Sequence, residues 1–173
     1  MADNSQKPKV GILMGSDSDL DIMAEAEKRL TAFGIPCEMR ILSAHRTPHD
    51  TQKYAESAIE RGLEAIIVGA GAAAHLAGVI AAHTTLPVIG VPIDSSALKG
   101  MDALLATVQM PGGIPVATMA IGKSGATNAG IFAAEILARK DPALADKLVR
   151  FKQEMTAGVL EKDKKLQSAR AKR

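Results

Sequence analysis

An unbroken apolar run that ends in glycine constrains this chain more than any other stretch. Ala65-Ile66-Ile67-Val68 shows no alternation of apolar and polar side chains, and Gly69 follows it. A strand with one wet face alternates, whereas a strand covered by helices on both faces is apolar throughout. The run therefore predicts a buried strand of a parallel sheet. Parallel neighbours in turn need crossover connections long enough to hold a helix.

The rest of the chain supplies those neighbours and helices. Short apolar runs alternate with segments in which apolar residues recur at helical spacing, and glycines such as Gly34 and Gly62 mark helix ends. Pro92 is expected to close the fourth strand, and Ile59 to lie on the buried stripe of the second helix. The predicted strands are 10–14, 37–42, 65–68, 87–91 and 116–121, and the predicted helices are 19–33, 48–61, 75–82, 100–110, 126–138 and one from 142 onward.

This order of elements predicts one α/β domain over residues 1–173. Its five-stranded parallel sheet carries helices on both faces, since successive parallel strands are joined by right-handed crossovers. Residues 1–8 are expected to be flexible. A helix and a basic tail are expected from about 142 to 173.

Charge and cysteine content narrow the function. The formal net charge is +2, and part of the basic excess lies in the tail after Glu161, so no nucleic-acid-binding face is expected. Cys37 alone cannot build a disulfide framework, and residues 1–9 carry no apolar leader, so a reducing cytoplasm is expected. No apolar run reaches the roughly 18–20 residues of a membrane span. Aromatic residues are only 2% of the chain, and the many small side chains favour a homo-oligomer.

The turns after the first three strands are the expected ligand site, because ligands of open parallel sheets lie beyond the carboxyl ends of the strands. The second of these turns is Ser43-Ala44-His45-Arg46-Thr47-Pro48, whose last two residues are typical of an N-cap and a first helical turn. His45 suits proton transfer near neutrality, although a lone histidine is more often structural. Arg46 suits a phosphate or carboxylate, with a surface ion pair as its alternative.

The first turn is Gly15-Ser16-Asp17-Ser18-Asp19, which opens the first helix. Free backbone N–H groups and the helix dipole favour an anion there, and the Ser16 and Ser18 hydroxyls add donors. Asp19 accepts hydrogen bonds and suits ribose hydroxyls rather than phosphate. Plain N-capping is the alternative. A calcium loop is excluded, because Ile22 stands where such a loop needs glycine.

Three further patterns are weaker. Gly69 to His75 resembles a dinucleotide fingerprint, but it follows the third strand, and such a turn also lets any small ligand approach closely. His75 either lines that site or caps the next helix. The phosphate-loop pattern from Ala117 to Ser124 is interpreted as a false match, because a strand is expected across most of it. His45 and His49 have metal-ligand spacing, but no third ligand is near.

Four blocks in order along the chain resemble the N5-carboxyaminoimidazole ribonucleotide mutases of purine biosynthesis, the class I aminoimidazole ribonucleotide carboxylase family. The resemblance extends from about Val10 to Leu137. It implies a flavodoxin-like three-layer α/β/α subunit, a homo-octamer, and no metal or organic cofactor. The blocks are Met14-Gly15-Ser16-Asp17-Ser18-Asp19, Ser43-Ala44-His45-Arg46-Thr47-Pro48, Gly69 to Leu76, and Gln109-Met110-Pro111-Gly112-Gly113-Ile114-Pro115-Val116.

The resemblance also implies a reaction and residue roles. The expected reaction is an isomerisation, without ATP, that moves a carboxylate from the exocyclic N5 to ring carbon C4 of aminoimidazole ribonucleotide. His45 matches the family's general acid/base, and residues 110–115 are expected to cover the pocket. Ser16, Asp19 and Arg46 match substrate-binding positions, and Ser18, Ser43, Gly71 and His75 match neighbouring pocket positions.

Two rival functions stay open. The nearer is the related carboxylase that takes aminoimidazole ribonucleotide and free carbon dioxide, although Arg46 in place of lysine and the Gly/Ala run before His75 favour the mutase. The other is a non-catalytic nucleotide or flavin-binding module, which the same general fold permits.

Overall fold

The computed structural model describes residues 7–171 as strands alternating with helices. The strands are β1 Val10–Met14, β2 Cys37–Ile41, β3 Ala65–Gly71, β4 Val88–Ile93 and β5 Ala117–Thr118. The helices are α1 Leu20–Phe33, α2 Pro48–Ser57, α3 Leu76–Ala82, α4 Met101–Val108, α5 Lys123–Leu137 and α6 Pro142–Arg170. A 3₁₀ turn, Asp17–Asp19, precedes α1.

The strands form one parallel sheet of order β2-β1-β3-β4-β5. In the central register, Ile12 of β1 lies opposite Ile67 of β3. The run Ala65–Val68 is at most 1% exposed, as expected of a strand covered on both faces. The predicted parallel sheet is confirmed, and its order reverses direction between β1 and β3. The turns after β1, β2 and β3 therefore meet at a switch point.

Small residues let helices cover both faces of the sheet. On one face, a Cβ on Gly90 of β4 would overlap Thr107 of α4 and would lie 3.7 Å from Ala77 of α3. On the other face α1 packs against α5, where a Cβ on Gly130 would lie only 2.8 Å from the Ala26 carbonyl oxygen. The fold is thus a flavodoxin-like three-layer α/β/α arrangement, as predicted.

The second helix is shorter than predicted. It ends at Ser57, whose hydroxyl donates to the Tyr54 carbonyl (3.2 Å) and competes with the helical backbone bonds. The chain then closes through Gly62, with φ +92°, and a Schellman pair of bonds in which Leu63 N donates to Ala58 O. Ile59 lies in this closing turn and is 52% exposed, so the prediction that it joins the buried stripe was wrong.

Pro92 was wrongly predicted to close the fourth strand; β4 continues to Ile93. The Pro92 carbonyl accepts a hydrogen bond from Gly122 N (2.9 Å), so this residue turns its backbone polar atoms away from β3. The missing N–H of Pro92 therefore removes no hydrogen bond between β4 and β3, but it leaves β4 without a donor to β5 at this residue. The fifth strand ends for that reason at Thr118 instead of the predicted residue 121.

A polar cluster braces edge strand β2 against α2. Glu38 Oε1 accepts hydrogen bonds from the Tyr54 hydroxyl and from Arg61 Nη1, each at 2.6 Å. The Arg61 guanidinium also lies 4.5 Å from the centre of the Tyr54 ring. Burial, followed by the hydrogen bond to Glu38, raises the pKa of Tyr54. The phenol therefore stays neutral and donates to the carboxylate.

The chain divides into two compact units, Met1–Ile136 and Leu137–Arg173. The second unit consists largely of α6, whose start is capped by the Asp141 side chain accepting from Leu144 N (3.1 Å), and the lysine-rich segment after Glu161 is helical. Most of the predicted flexible segment 1–8 lies outside the described residues, and one domain over 1–173 stays a prediction. Within residues 7–171, no helix is both long and apolar enough to cross a bilayer.

Candidate active site

A cleft of about 410 Å³ opens at the carboxyl ends of the first four strands, β1 to β4. It contains every predicted site residue except His75, which is hydrogen-bonded to one of its lining side chains. The convergence of three separate turns at one cleft follows from the strand order, because β2, β1 and β3 are neighbours. The lining residues are Gly15, Ser16, Ser18, Asp19, Ser43, Ala44, His45, Arg46, Ala70, Gly71, Ala73, Leu76 and Ser95.

The turn after β2 is closed by reciprocal bonds between Ser43 and Thr47. Thr47 N donates to Ser43 O and Ser43 N donates to Thr47 Oγ1, each at 2.9 Å, and Thr47 Oγ1 donates to Ser43 O at 3.2 Å. Thr47 stands at the N-cap position before Pro48, as predicted, but its side chain makes no capping bond to α2. The hydroxyl instead orders the turn that presents His45 and Arg46.

Arg46 ties this turn to the turn after β1. Its Nη2 donates to Gly15 O at 2.8 Å, and its Nε and backbone N lie 3.4 Å and 3.2 Å from Ser43 Oγ. Within residues 7–171 the guanidinium forms no ion pair, which argues against the surface ion-pair interpretation. A guanidinium has five N–H donors in a fixed fork, so most remain available for an anionic ligand.

The serines of the turn after β1 are compatible with both interpretations, N-capping and ligand binding. Ser16 Oγ accepts from Ser18 N at 3.4 Å, as an N-cap should, yet both hydroxyls still line the cleft. Asp19 is 5% exposed and accepts from Ser18 Oγ at 3.3 Å. Burial is the main cause that raises the pKa of Asp19, while the Ser18 bond opposes it. A buried carboxylate with free lone pairs suits neutral donors such as ribose hydroxyls.

Two histidines form a pair at the mouth of the cleft. His45 Nε2 lies 2.9 Å from His75 Nδ1, and the two rings meet edge to face at 80°. One of these nitrogens must carry a proton and the other a lone pair for that bond to exist. His49 lies outside the cleft lining. Among the described residues, no three histidine, cysteine, aspartate or glutamate side chains cluster as a metal site requires.

The two weak glycine patterns do not form nucleotide loops. Gly69 and Gly71 both lie inside β3, so the dinucleotide fingerprint is not in a strand-to-helix turn. Gly122 and Lys123 lie outside the cleft lining, and the predicted strand across the phosphate-loop pattern is only two residues long. The prediction that a strand covers most of the phosphate-loop pattern was therefore wrong. Lys123 nevertheless lies at the start of α5 and does not line the cleft.

Sequence reasoning missed part of the lining. Ser95, two residues after β4, carried one available signal, since it is a hydroxyl just beyond the carboxyl end of a buried strand. Ala70 and Ala73 lie in the Gly69 to His75 stretch, which was predicted to let a small ligand approach closely. Leu76 carried no signal, because an apolar residue looks alike whether it faces a cleft or a core. Residues 110–115 do not line the cleft; a Cβ on Gly78 of α3 would lie 3.1 Å from the Met110 sulfur.

The sheet order and this cleft define a flavodoxin-like α/β protein with a candidate ligand site at its switch point. Residues 9–158 match the family model described as AIR carboxylase, and the chain belongs to that family. N5-carboxyaminoimidazole ribonucleotide mutase from Pyrococcus horikoshii is 56% identical over 163 residues, covering 94% of this chain and 91% of that protein. The Bacillus subtilis protein of the same name is 54% identical over 160 residues, covering 92% and 99%.

A solved structure agrees with the fold. The crystal structure of PurE from Treponema denticola superposes with a TM-score of 0.82 at 30% identity, covering 92% of this chain and 98% of that one. The likeness extends over nearly the whole of both chains, so the sheet and the helices around it are shared.

Proposed function

We propose that the chain is an N5-carboxyaminoimidazole ribonucleotide mutase, the isomerase of purine biosynthesis that moves a carboxylate from N5 to C4 of its substrate. The observation that carries the proposal is that relatives with this name are 51–57% identical over most of the chain. The cleft supports it, since it joins a proton-transfer side chain to a cation and to a turn rich in donors.

Each part of a ribonucleotide has a matching group in the cleft. The Arg46 guanidinium and the Ser16 to Ser18 turn, joined by the bond to Gly15 O, suit the phosphate. The buried Asp19 carboxylate suits the ribose hydroxyls. The heterocycle then lies toward Gly71 and His45, where the backbone of β3 is bare enough for a flat ring to approach.

His45 is the proposed general acid and base. Protonation of N5 by His45 lets the N–C bond break, its electron pair staying on nitrogen, so that carbon dioxide and an enamine-like ring form. C4 then attacks the carbon dioxide to make the new C–C bond, and His45 removes the C4 proton to restore the aromatic ring. Atoms and protons balance, and no oxidant, ATP or metal enters the reaction.

His75 supports this role through its 2.9 Å bond to His45. Because one ring must donate and the other accept, the bond couples the tautomer of His45 to that of His75. We assign His75 as a positioning residue for the proton on His45.

The test is conversion of the N-carboxylated substrate, followed by ultraviolet absorbance in chelator-treated buffer without ATP. His45→Asn is expected to lower kcat by about 10²–10⁴-fold, the range typical of a lost acid/base group. His49→Asn is the matched control, because His49 is exposed and lies outside the cleft. This variant is expected to match wild type.

Three results would contradict the proposal. Rapid turnover of aminoimidazole ribonucleotide only with added bicarbonate would indicate the carboxylase instead. A tightly bound flavin or dinucleotide that copurifies with the protein would indicate a binding module. Near-normal turnover by folded His45→Asn would remove His45 from the acid/base role while leaving the reaction intact.

The proposal includes a homo-octamer in the cytoplasm. Self-association is supported by an exposed apolar stripe at helical spacing, formed by Leu98 in the turn before α4 and by Met101, Leu105 and Val108 of α4, which are 64%, 52%, 51% and 50% exposed. Sedimentation velocity measures the assembly, and a monomer at micromolar concentration would refute it. Cell fractionation tests the compartment.

A further inference from the structure

Ser95 is the one cleft serine whose hydroxyl has no protein partner within residues 7–171. The other three already make such bonds: Ser16 to Asp17, Ser18 to Asp19, and Ser43 with Arg46. Ser95 is exposed and lines the cleft, so its hydroxyl can exchange water for a ligand group there without giving up a bond to the protein.

The position of this hydroxyl is set by Gly71. A Cβ on Gly71 would overlap Ser95 Oγ and would lie 2.8 Å from Ser95 Cβ and 3.2 Å from the Ile93 carbonyl oxygen. Gly71 lies within β3 and has no left-handed backbone angle, so its backbone conformation does not require glycine. The missing side chain instead leaves room for Ser95. Ser95 therefore places its hydroxyl directly over the bare backbone of β3.

The loop that carries Ser95 is well braced. Ser96 Oγ donates to Asp102 Oδ2 at 2.7 Å and accepts from Leu98 N at 3.2 Å, and Lys99 N donates to Ser96 O at 3.0 Å. The bond from Ser96 lowers the pKa of Asp102, which keeps this carboxylate charged as an acceptor. The neighbouring serine thus anchors the loop and leaves Ser95 free of that task.

The location indicates which part of a ligand this hydroxyl meets. Arg46 reaches the turn after β1, whereas Ser95 follows β4, two strands farther along the sheet, roughly 10 Å at the usual strand spacing. The cleft lining between them at the end of β3 is Ala70, Gly71 and Ala73. Ser95 is the polar donor at the end of the cleft opposite the cation.

We propose that the Ser95 hydroxyl donates a hydrogen bond to the exocyclic carboxylate of the ligand, and that Gly71 is glycine to leave room for that bond. The inference rests on the proposed function, since it takes a carboxylated aminoimidazole ribonucleotide as the ligand. Ser95 is then a substrate-contacting residue that distinguishes carboxylated from uncarboxylated nucleotide.

The test compares two ligands by calorimetry in bicarbonate-free buffer: 4-carboxy-5-aminoimidazole ribonucleotide and 5-aminoimidazole ribonucleotide. Ser95→Ala is expected to weaken the carboxylated ligand by about tenfold or more, because hydrogen bonds to charged groups are the strong ones, and to leave the uncarboxylated ligand within about twofold. Gly71→Ala is expected to weaken both ligands, because its Cβ would displace the hydroxyl and would also crowd the ring that lies toward Gly71. Ser95→Thr, which keeps the hydroxyl, is expected to retain selectivity.

Two outcomes overturn the inference. Equal weakening of both ligands by Ser95→Ala, as expected for Ser96→Ala through loosening of the loop, would make Ser95 structural. No weakening of either ligand would show that its hydroxyl is unused. Failure of the proposed function is distinguishable, because wild-type protein would then fail to convert the N-carboxylated substrate, whether or not it binds the two nucleotides.

Discussion

The reciprocal bonds between Ser43 and Thr47 make a sharp prediction about preorganisation. Thr47→Val keeps the branched shape of the side chain but removes Oγ1. The acceptor for Ser43 N at 2.9 Å and the donor to Ser43 O at 3.2 Å are both lost. The backbone bond from Thr47 N to Ser43 O remains, so the turn loosens rather than disappears.

The expected cost in free energy follows from the hydrogen-bonding groups of Ser43 that lose their partner. An unsatisfied donor that is sheltered from water costs about 1–3 kcal/mol, and the lower half of that range applies because both residues are only half-buried. About 1–2 kcal/mol corresponds to a factor of about 5–30 in an equilibrium. Ser43 Oγ positions the Nε and backbone N of Arg46, so this disorder reaches the anion-binding side chain directly.

The assay measures kcat/KM for the carboxylated substrate together with the melting temperature. Thr47→Val is expected to lower kcat/KM by about tenfold, and each 1 kcal/mol is expected to lower Tm by about 2–4 °C for a chain of this size. Thr47→Ser keeps the hydroxyl and is the matched control, with values near wild type. Equal values for the valine and serine variants would refute the reasoning, since they would show that the hydroxyl does not order the turn.

Two further predictions concern buried groups. Burial raises the pKa of the Asp19 carboxyl above the ordinary 3.8, so the unfolded chain loses this proton first and the free energy of unfolding falls as the pH rises from 3.8 to the raised value. Asp19→Asn is therefore expected to raise Tm at pH 7 while weakening nucleotide binding. A lower Tm by calorimetry would contradict this. A Cβ on Gly11 would overlap the Tyr54 hydroxyl, so Gly11→Ala is expected to cost about 1–3 kcal/mol in urea denaturation with kcat unchanged; an unaltered midpoint would show that Tyr54 moves freely.

The sequence was informative wherever a local pattern had one physical meaning. The apolar run Ala65–Val68, bounded by glycine and rich in β-branched residues, favoured a strand covered on both faces. Gly34 takes the left-handed angle φ +78° and ends α1 at the position where a glycine predicted a helix end. The candidate site was predictable because parallel strands bring their carboxyl ends to one edge. His45 and Asp19, separated in sequence, meet there through strand order alone.

What stayed hidden depended on neighbours that a sequence does not display. Pro92 reads as a strand breaker unless it is known that its nitrogen faces the edge where β5 ends. Ile59 fits a helical stripe unless the Ser57 hydroxyl is known to end that helix early. The role of Ser95 depends on its contact with the backbone of Gly71, which the sequence does not display.

The fluorescence of Tyr54 can report on the contact between β2 and α2. The chain contains one tyrosine and no tryptophan, so its tyrosine fluorescence arises from a single phenol that is bonded to Glu38 and lies against Arg61. A carboxylate that accepts a hydrogen bond from a phenol quenches tyrosine emission, so release of β2 from α2 is expected to raise the fluorescence. That signal follows the edge of the sheet without a label, and the weak protein absorbance leaves the ultraviolet window open to the imidazole product.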